Sequence, residues 1–326
     1  MTRLVLEKIL EYLDWKSVLT LRQVCQRLRY QIDEIPYRLL PDNQLTGIRI
    51  FSGLESIRLA LQTLENCHQI SYSITKNEKF SRTNNSGKEV EFKKKHLVNM
   101  MVTDLEQVLR FQKSPSEEIS ISFHNGMHKT LDTFPDALRN ALESRNQFIR
   151  VKRLQVIAYK PIQIMCLLPC LDANCLEEIQ LCCCSSRFSD FDMNDVVQTE
   201  QWNNAKKLYY RGYCTVPLQS LSHFSRLTLA DIYTFSAEDM DFLKTAFSRS
   251  SNFEHFDAFL FKPIRDPNLL STLWGPPITY LREQLWHFQM SNTDDILRVK
   301  YDGARQISMK RVNLEIIPNG VVIYDN

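Results

Sequence analysis

The stretch Leu176-Glu177-Glu178-Ile179-Gln180-Leu181 alternates apolar and polar side chains from Ile179 to Leu181. Alternation with a period of two is typical of a β-strand that buries one face. Similar short strand-like segments lie at residues 119–121, 154–157, 207–210, 226–229 and 256–259. Helix-like segments lie between them, at residues 134–145, 162–171, 192–205, 217–224 and 236–249. Strands that alternate with helices predict a series of βα units over residues 97–262.

The spacing of these strands indicates how the βα units are arranged. They recur every roughly 20 to 35 residues, a spacing within the range of solenoid repeats. Each unit exposes an apolar face that only a neighbouring unit covers, and right-handed crossovers return each strand beside the previous one. The pattern therefore favours a mixed α/β fold with an irregular, leucine-rich-repeat-like βα stack. An ordinary α/β sheet is the alternative, because the period is uneven.

The flanking segments have different patterns. Residues 45–96 contain alternating stretches at 47–51, 56–61 and 69–74, which predict a meander of antiparallel strands. A helix is predicted over 97–112, with Leu97, Met101, Leu105, Val108 and Leu109 on one face. Residues 263–326 are predicted to form C-terminal strands. Residues 36–44 contain Pro36 and Pro41 and are interpreted as a linker.

The N-terminal 35 residues have the apolar spacing of amphipathic helices. Leu6, Ile9, Leu10 and Leu13 recur at i, i+3, i+4 and i+7. After Asp14-Trp15-Lys16-Ser17, a second run carries Val18, Leu21, Val24, Cys25 and Leu28 at helical spacing. Two short amphipathic helices do not bury both apolar faces against each other. We therefore expect another surface to cover the remainder.

The sequence from Leu4 to Arg29 resembles an F-box. The ILxxL element of that family matches Ile9, Leu10 and Leu13, and its LRxVCxxLR element matches residues 21–29. The family usually begins with Leu-Pro ahead of the first helix, and this chain has Met1-Thr2-Arg3 there. Part of the first adaptor contact is therefore expected to be missing or weakened.

The F-box resemblance implies a function. In that family the apolar residues pack on a Skp-type adaptor, which joins a cullin-RING ubiquitin ligase. The resemblance therefore implies the substrate-recognition subunit of an SCF-type ligase, with residues 1–35 as the adaptor-binding segment. The implied contact residues are Leu4, Leu6, Ile9, Leu10, Leu13, Val18, Leu21, Val24 and Leu28.

A structural explanation of the same stripes stays open beside the F-box. Apolar stripes of period 3.6 are commonly internal core, and terminal repeats of a solenoid need a covering element. Residues 1–32 would then cap the βα stack of a protein-interaction scaffold that has no ligase role. Deleting residues 1–35 is expected to cause unfolding if the segment is a cap and to leave a soluble remainder if it is an adaptor-binding module.

The larger part of the chain resembles the FTH domain that follows F-boxes in the nematode F-box A group. The resemblance lies in residues 151–156, 175–181 and 202–208, and in Met309-Lys310-Arg311-Val312 followed by a short hydrophobic hairpin around residues 318–320. It implies that residues 45–326 form an FTH-type domain that binds an unknown target protein. No residue-level binding site comes with this resemblance. Tyr209, Tyr210 and Phe259 are candidate aromatic anchors if the strands present an open face.

Composition and charge argue against several other classes of protein. The net charge of +2 provides no strong field for nucleic acid or an anionic membrane. Nine cysteines, with three adjacent at 182–184, do not resemble a disulfide framework and indicate a reducing compartment, cytoplasmic or nuclear. No stretch has the apolar length of a membrane span or a secretory signal.

Motifs that would support catalysis or a cofactor are weak. His124 and His128 are four residues apart without further metal ligands, and the cysteines lack paired CxxC spacing. The basic run at 93–96 is interpreted as a solvated strand end. Phosphate-binding glycine loops and hydrolase motifs do not occur in the sequence. We therefore expect no cofactor and no enzymatic activity.

Overall fold

The structure is a computed structural model that describes residues 3–74, 80–84, 87–92, 97–126, 128–129, 131–145, 147–184, 191–212, 216–291, 293–318 and 320–325. The chain divides into two compact units. Unit 1 contains residues 1–155 and 166–176, and unit 2 contains residues 156–165 and 177–326. The division therefore falls inside the segment 45–326 that the sequence predicts as one domain.

The N-terminal segment folds into α1 (Arg3–Leu10), α2 (Trp15–Val24) and α3 (Gln26–Asp33). The Asp14 side chain accepts a 2.7 Å hydrogen bond from the Ser17 backbone N–H, so the predicted interruption is the N-cap of α2. The second apolar run is not one helix. Cys25 has extended backbone angles, φ −157° and ψ 162°, which end α2 and begin α3. A short 3-10 turn follows at Tyr37–Leu39.

An antiparallel meander follows in unit 1. It contains β1 (Gly47–Ser52), β2 (Ser56–Gln62), β3 (Cys67–Ile74), β4 (Phe80–Asn84) and β5 (Glu89–Phe92). Each of these strands pairs antiparallel with the next. The alternation in the sequence predicts strands of this kind. In β2, Ile57 and Leu59 face inward and are buried, whereas Arg58 between them is exposed.

The first βα elements complete unit 1. They are α4 (Leu97–Leu109), β6 (Ser116–Ser122) and α5 (Phe134–Glu143), followed by the first residues of β7 (Val151–Ala158). Strand β6 pairs in parallel with β1. All five residues predicted for the apolar face of α4 are buried, so this helix prediction is confirmed.

Unit 2 contains a run of parallel strands. They are β8 (Glu178–Cys183), β9 (Lys207–Gly212), β10 (Arg226–Ile232) and β11 (His255–Leu260), and each pairs in parallel with the next. The helices of unit 2 in this region are α6 (Ile162–Met165), α7 (Asn194–Val197), α8 (Glu200–Asn204) and α9 (Ala237–Arg249). A capping box begins α9: the Asp239 N–H donates to the Ser236 hydroxyl, and the Ser236 N–H donates to the Asp239 carboxylate.

Three predicted helices are shorter than the sequence pattern suggests. The 162–171 segment is α6 followed, in unit 1, by a separate 3-10 turn at Leu168–Cys170. The 192–205 segment is divided because Thr199 adopts an extended conformation and caps α8. The 217–224 segment contains only a 3-10 turn at Leu218–Ser220.

The C-terminal elements end unit 2 with antiparallel strands. They are α10 (Asn268–Trp274), β12 (Ile278–Tyr280), β13 (Glu283–Gln289), β14 (Asp295–Tyr301) and β15 (Gln306–Asn313). Strand β15 pairs antiparallel with both β11 and β14, so it lies between strands that are distant in sequence. The order in unit 2 is therefore β8-β9-β10-β11-β15-β14-β13-β12.

The chain end differs from the hydrophobic hairpin implied by the resemblance. Val321 donates its N–H to the Pro318 carbonyl oxygen, which makes a turn, and Tyr324 pairs with Phe288 of β13. Asn319 lies outside the described residues. The mixed α/β class is confirmed, and the leucine-rich-repeat-like stack stays a prediction.

Candidate functional site

One side of the N-terminal helices packs against the rest of unit 1. Leu6, Leu10 and Val18 of the predicted adaptor surface are buried on this side. Trp15 lies beside them and contacts Phe111, with ring centroids 6.3 Å apart. We call this side the inner face. Because its side chains are already covered within unit 1, they offer no surface to a partner in this structure.

The same helices also carry exposed apolar side chains. Leu4 is 75% exposed, Val24 67% and Ile9 38%. Val5 and Tyr12 are exposed as well, and Leu13 is half-buried. We call these exposed residues together the outer face. Exposed apolar side chains are typical of a protein-binding surface where they make up a contiguous patch.

A groove crosses the outer face where α1, α2 and α3 meet. Its volume is about 360 Å³. The residues that line it are Ile9, Leu21, Arg27, Leu28 and Gln31. Three of the predicted adaptor contacts, Ile9, Leu21 and Leu28, are therefore brought together although they belong to three different helices. Leu21 and Leu28 are half-buried, so their side chains form the floor of the groove and Ile9 lies at its margin.

An ionic cluster fixes the position of α3. Asp33 accepts two hydrogen bonds from Arg22 of α2, at 2.7 and 2.9 Å, and one from Arg110 at 2.7 Å. Arg110 also donates to the backbone carbonyl oxygens of Ile32 and Asp33. Partial burial by itself would raise the pKa of the Asp33 carboxyl, but the two guanidinium groups hold it below its ordinary value.

Acid is expected to weaken the attachment of these helices through Asp33. Its pKa is lower in the folded chain than the value of about 3.9 typical of unfolded chains. Its contribution to stability is therefore present above pH ~4 and is lost as the pH falls through the folded-state pKa. We expect the difference in unfolding midpoint between wild type and Asp33→Asn to be largest at neutral pH and to shrink on acidification. A difference that stays constant down to pH ~3 would contradict this role.

The candidate aromatic anchors lie on β9 and β11. Tyr209 and Phe259 are exposed on the face of these strands opposite the core, whereas Tyr210 is fully buried. Tyr210 is therefore excluded as a surface anchor, because strand alternation turns it inward. In the register of the sheet, Tyr209 is level with Asp257 of β11, so Phe259 lies two strands away and two residues further along. The two exposed rings are therefore separate contact points.

The histidine and cysteine groups have local structural partners. The His124 ring contacts the Asn125 carbonyl oxygen, and the backbone N–H of His128 donates to the Leu54 carbonyl oxygen. Each cysteine that the structure describes is a thiol outside any disulfide bond, and Cys214 lies outside the described residues. Burial, followed by a hydrogen bond with Cys184, raises the pKa of Cys182 to about 11. A protonated thiol is a weak nucleophile and a weak metal ligand.

The described ranges lack the features of a metal site or a membrane-spanning helix. Within them, no group of three or more His, Cys, Asp or Glu side chains is arranged to hold a metal ion. No helix in the same ranges has the length and apolar character needed to cross a bilayer. The basic run at 93–96 lies outside the described residues.

Comparison with known proteins identifies one domain. The family model described as FTH domain matches residues 132–276. The matched region begins in unit 1 before α5 and contains β8 to β11 of unit 2. No curated protein matches the chain significantly, and no solved structure does.

Proposed function

We propose that this chain is the substrate-recognition subunit of an SCF-type ubiquitin ligase. The outer face is the main support for this proposal. Its residues Leu4, Ile9 and Val24 are apolar, and no other described part of unit 1 covers them. The FTH domain match supports it, since that domain is associated with F-box proteins. In this proposal the outer face binds a Skp-type adaptor and, through it, a cullin. Residues 45–326, which we call the FTH region, hold a target protein.

We propose fewer adaptor-contact residues than the sequence suggests. We assign the contacts to Leu4, Ile9 and Val24, with Leu13, Leu21 and Leu28 at the groove. Leu6, Leu10 and Val18 have the supporting role of fixing α1 and α2 on unit 1. Burial of one apolar side chain contributes about 1.5–3 kcal/mol, and only a few such residues dominate a typical interface.

We also propose that the chain is not an enzyme. Ubiquitin transfer would be carried out by the cullin-RING partners, and this chain would supply only binding surfaces. Such a role would be carried out in the cytoplasm or the nucleus, and described cysteines that form no disulfide bond fit a reducing compartment.

The direct test uses the full-length chain and a purified Skp-type adaptor. We expect the two to co-elute in size-exclusion chromatography as a complex that equilibrium binding measurements also detect. Separate elution at protein concentrations well above the dissociation constant of a typical specific complex would overturn the proposal.

The second candidate is a scaffold without a ligase role, in which residues 1–32 only cap the fold. The buried inner face favours this candidate, because Trp15 and Leu10 already cover part of unit 1. It leaves the exposed outer face without an explanation. Adaptor binding by the full-length chain therefore separates the two candidates.

Contrary to the expectation from the sequence, deletion of residues 1–35 does not separate the two candidates, because it is expected to destabilise unit 1 under both. It would uncover Phe111 and remove Asp33 from Arg110. We expect a lower unfolding temperature and aggregation, measured by circular dichroism and light scattering. A deletion variant as stable as the full chain would show that the inner-face contacts contribute little.

A further inference from the structure

A row of basic side chains crosses the sheet of unit 2. Lys207 of β9 lies opposite Arg226 of β10, and Arg226 lies opposite His255 of β11. His255 is paired with Lys310 of β15, and Lys310 with Arg298 of β14. We call these residues the basic row. They are far apart in sequence, and strand register alone brings them into one line.

The basic row faces away from the core. Its members alternate with buried residues on every strand. The buried neighbours are Leu208, Leu227, Phe256, Leu297, Val299 and Met309. Arg226 and Lys310 are exposed, and the other three members of the row are half-buried. The row is therefore available to a partner that covers this face of the sheet.

Two members of the basic row already contact carboxylates. Glu254 accepts a 2.5 Å hydrogen bond from Arg226, and Asp257 contacts the His255 ring. Beyond the row, Asp295 is held by Arg311, and Glu178 lies opposite Lys207, where it accepts a hydrogen bond from Gln180.

The two lysines of the row and Arg298 have no such carboxylate contact among the described residues. Lys207, Lys310 and Arg298 form no ion pair with any residue in the described part of the chain. Lys310 and Arg298 are direct cross-strand neighbours, and like charges in that position destabilise a sheet. Burial, followed by the charge of Arg298, also lowers the pKa of the adjacent His287. An anionic group bound between Lys310 and Arg298 would relieve this repulsion.

The surface around the row has the shape of a shallow binding site. An open groove of about 460 Å³ is lined by Arg226, Glu254, His255, Lys310 and Arg311. The exposed Tyr209 ring lies two residues beyond Lys207 on the same face of β9. Arginine and aromatic side chains are enriched at protein interfaces, and this face of the sheet carries both.

The distances in the row fit an extended peptide. Lys207 and Lys310 are separated by three strand steps, about 14 Å at the usual strand spacing of ~4.8 Å. An extended chain covers that distance in about four residues. Two anionic positions about four residues apart in a peptide would therefore reach both Lys207 and Lys310.

The charge pattern disfavours nucleic acid as the occupant. The three cations left without an ion pair in the described residues are fewer than the ~6–10 phosphate contacts that a DNA-binding protein typically makes. The carboxylates of Glu254 and Asp257 also lie in the middle of the row, where a continuous phosphate backbone would meet them. Separate anionic side chains on a peptide avoid that repulsion.

We propose that the basic row is the docking site for an acidic segment of a partner protein. This inference rests on the proposed function, because the acidic segment would belong to the target that the FTH region holds. Lys310 and Arg298 bind one anionic side chain, and Lys207 binds a second. Carboxylate and phosphate groups share the required chemistry, and the experiment distinguishes them.

The test is fluorescence anisotropy with the full-length protein. The probes are a labelled peptide of alternating glutamate and serine, the same peptide with phosphoserine, and the same peptide with glutamine in place of glutamate. We expect binding of the two anionic probes that weakens with added salt, and no binding of the glutamine probe. Stronger binding of the phosphoserine probe would identify phosphate as the preferred group. Failure of both anionic probes would overturn the proposal.

A double variant tests the residues. Lys310→Gln with Arg298→Gln is expected to weaken binding by about tenfold or more, since two charge-assisted contacts are lost. The matched control, Lys300→Gln with Lys262→Gln, removes the same charge from unit 2 outside the row. Lys300 is paired with Glu283, and Lys262 contacts Tyr233. Equal losses in both variants would contradict a specific site.

Two further measurements complete the design. Circular dichroism shows whether the double variant is folded, and Lys310→Gln alone gives a smaller loss in the same direction if the row is the site. Oligothymidylate that competes more strongly than the acidic peptides would overturn the choice of a peptide. Adaptor capture reports on a different surface, so its absence would contradict the ligase proposal without changing the peptide result.

Discussion

Replacement of Ile9 and Val24 by glutamate is expected to abolish capture of a Skp-type adaptor by the full-length chain. Both side chains lie on the outer face, where a bound adaptor would bury them. The variant loses two apolar contacts, each worth about 1.5–3 kcal/mol, and places two carboxylates in an apolar interface. Because ~1.4 kcal/mol corresponds to a factor of ten, the combined loss in affinity is expected to be at least ~100-fold.

The same variant is expected to keep its fold. Glutamate has a higher helix propensity than valine or isoleucine, and neither side chain belongs to the buried inner face. The matched control is Leu64→Glu, which adds a charge at a leucine of unit 1 that is 87% exposed and lies outside the helices. We expect the control to bind adaptor like wild type in equilibrium binding measurements. Undiminished binding by the double variant would show that the adaptor uses another surface.

The structure changes the choice of residues that the sequence favours for this experiment. The ILxxL element contains both Ile9 and Leu10. From the sequence alone, the experiment would therefore replace both residues by alanine. Leu10 is only 1% exposed, so its replacement would remove packing within unit 1 as well as any adaptor contact. Substitutions at Ile9 and Val24 distinguish an effect on adaptor binding from an effect on stability, because both side chains are exposed.

Local patterns in the sequence were sufficient to predict most elements. Alternation located β1, β2 and β3 of the meander and β8 to β11, and the apolar face of α4 was identified residue by residue. These features depend on neighbours within a few positions, so they can be identified without knowledge of the fold. The break at Cys25 was missed because the apolar spacing continues through it and neither glycine nor proline marks it.

The two faces of the N-terminal helices could not be separated from the sequence. Apolar residues occur on both sides of α1, and which side is buried depends on Trp15 meeting Phe111, a contact between distant residues. The periodicity therefore predicted one stripe where the structure has an inner and an outer face.

The basic row was missed for a similar reason. Lys310 becomes a neighbour of His255 only because β15 pairs with β11, although β12, β13 and β14 come between them in the sequence. Strand alternation gave the signal that each of these side chains faces outward. The register that aligns them is set by long-range pairing, which a single sequence does not show.

Replacement of Trp202 by alanine is expected to destabilise unit 2 by about 3–5 kcal/mol. Trp202 lies in α8 within the region matched by the FTH family model and is fully buried. Its ring meets Phe224 edge-on, with centroids 5.4 Å apart, and its indole N–H donates a 3.0 Å hydrogen bond to the Ser220 carbonyl oxygen. Alanine would leave a large cavity and remove the donor to Ser220. The loss is a large fraction of the ~5–15 kcal/mol that stabilises a typical domain.

Urea unfolding followed by circular dichroism measures this effect, and two further variants separate its causes. Trp202→Phe keeps an aromatic ring but removes the N–H, so we expect a smaller loss, of about 1–3 kcal/mol, from the hydrogen bond and the reduced volume. Phe242→Ala truncates an exposed aromatic residue of α9 and is expected to change stability by less than ~1 kcal/mol. If Trp202→Ala unfolded at the same urea concentration as Phe242→Ala, the indole would not be part of the core that holds the parallel strands together. We therefore expect the loss of stability to decrease from Trp202→Ala to Trp202→Phe to Phe242→Ala. Burial of the side chain determines the cost of truncating it, and a lost hydrogen bond adds to that cost only where water is excluded.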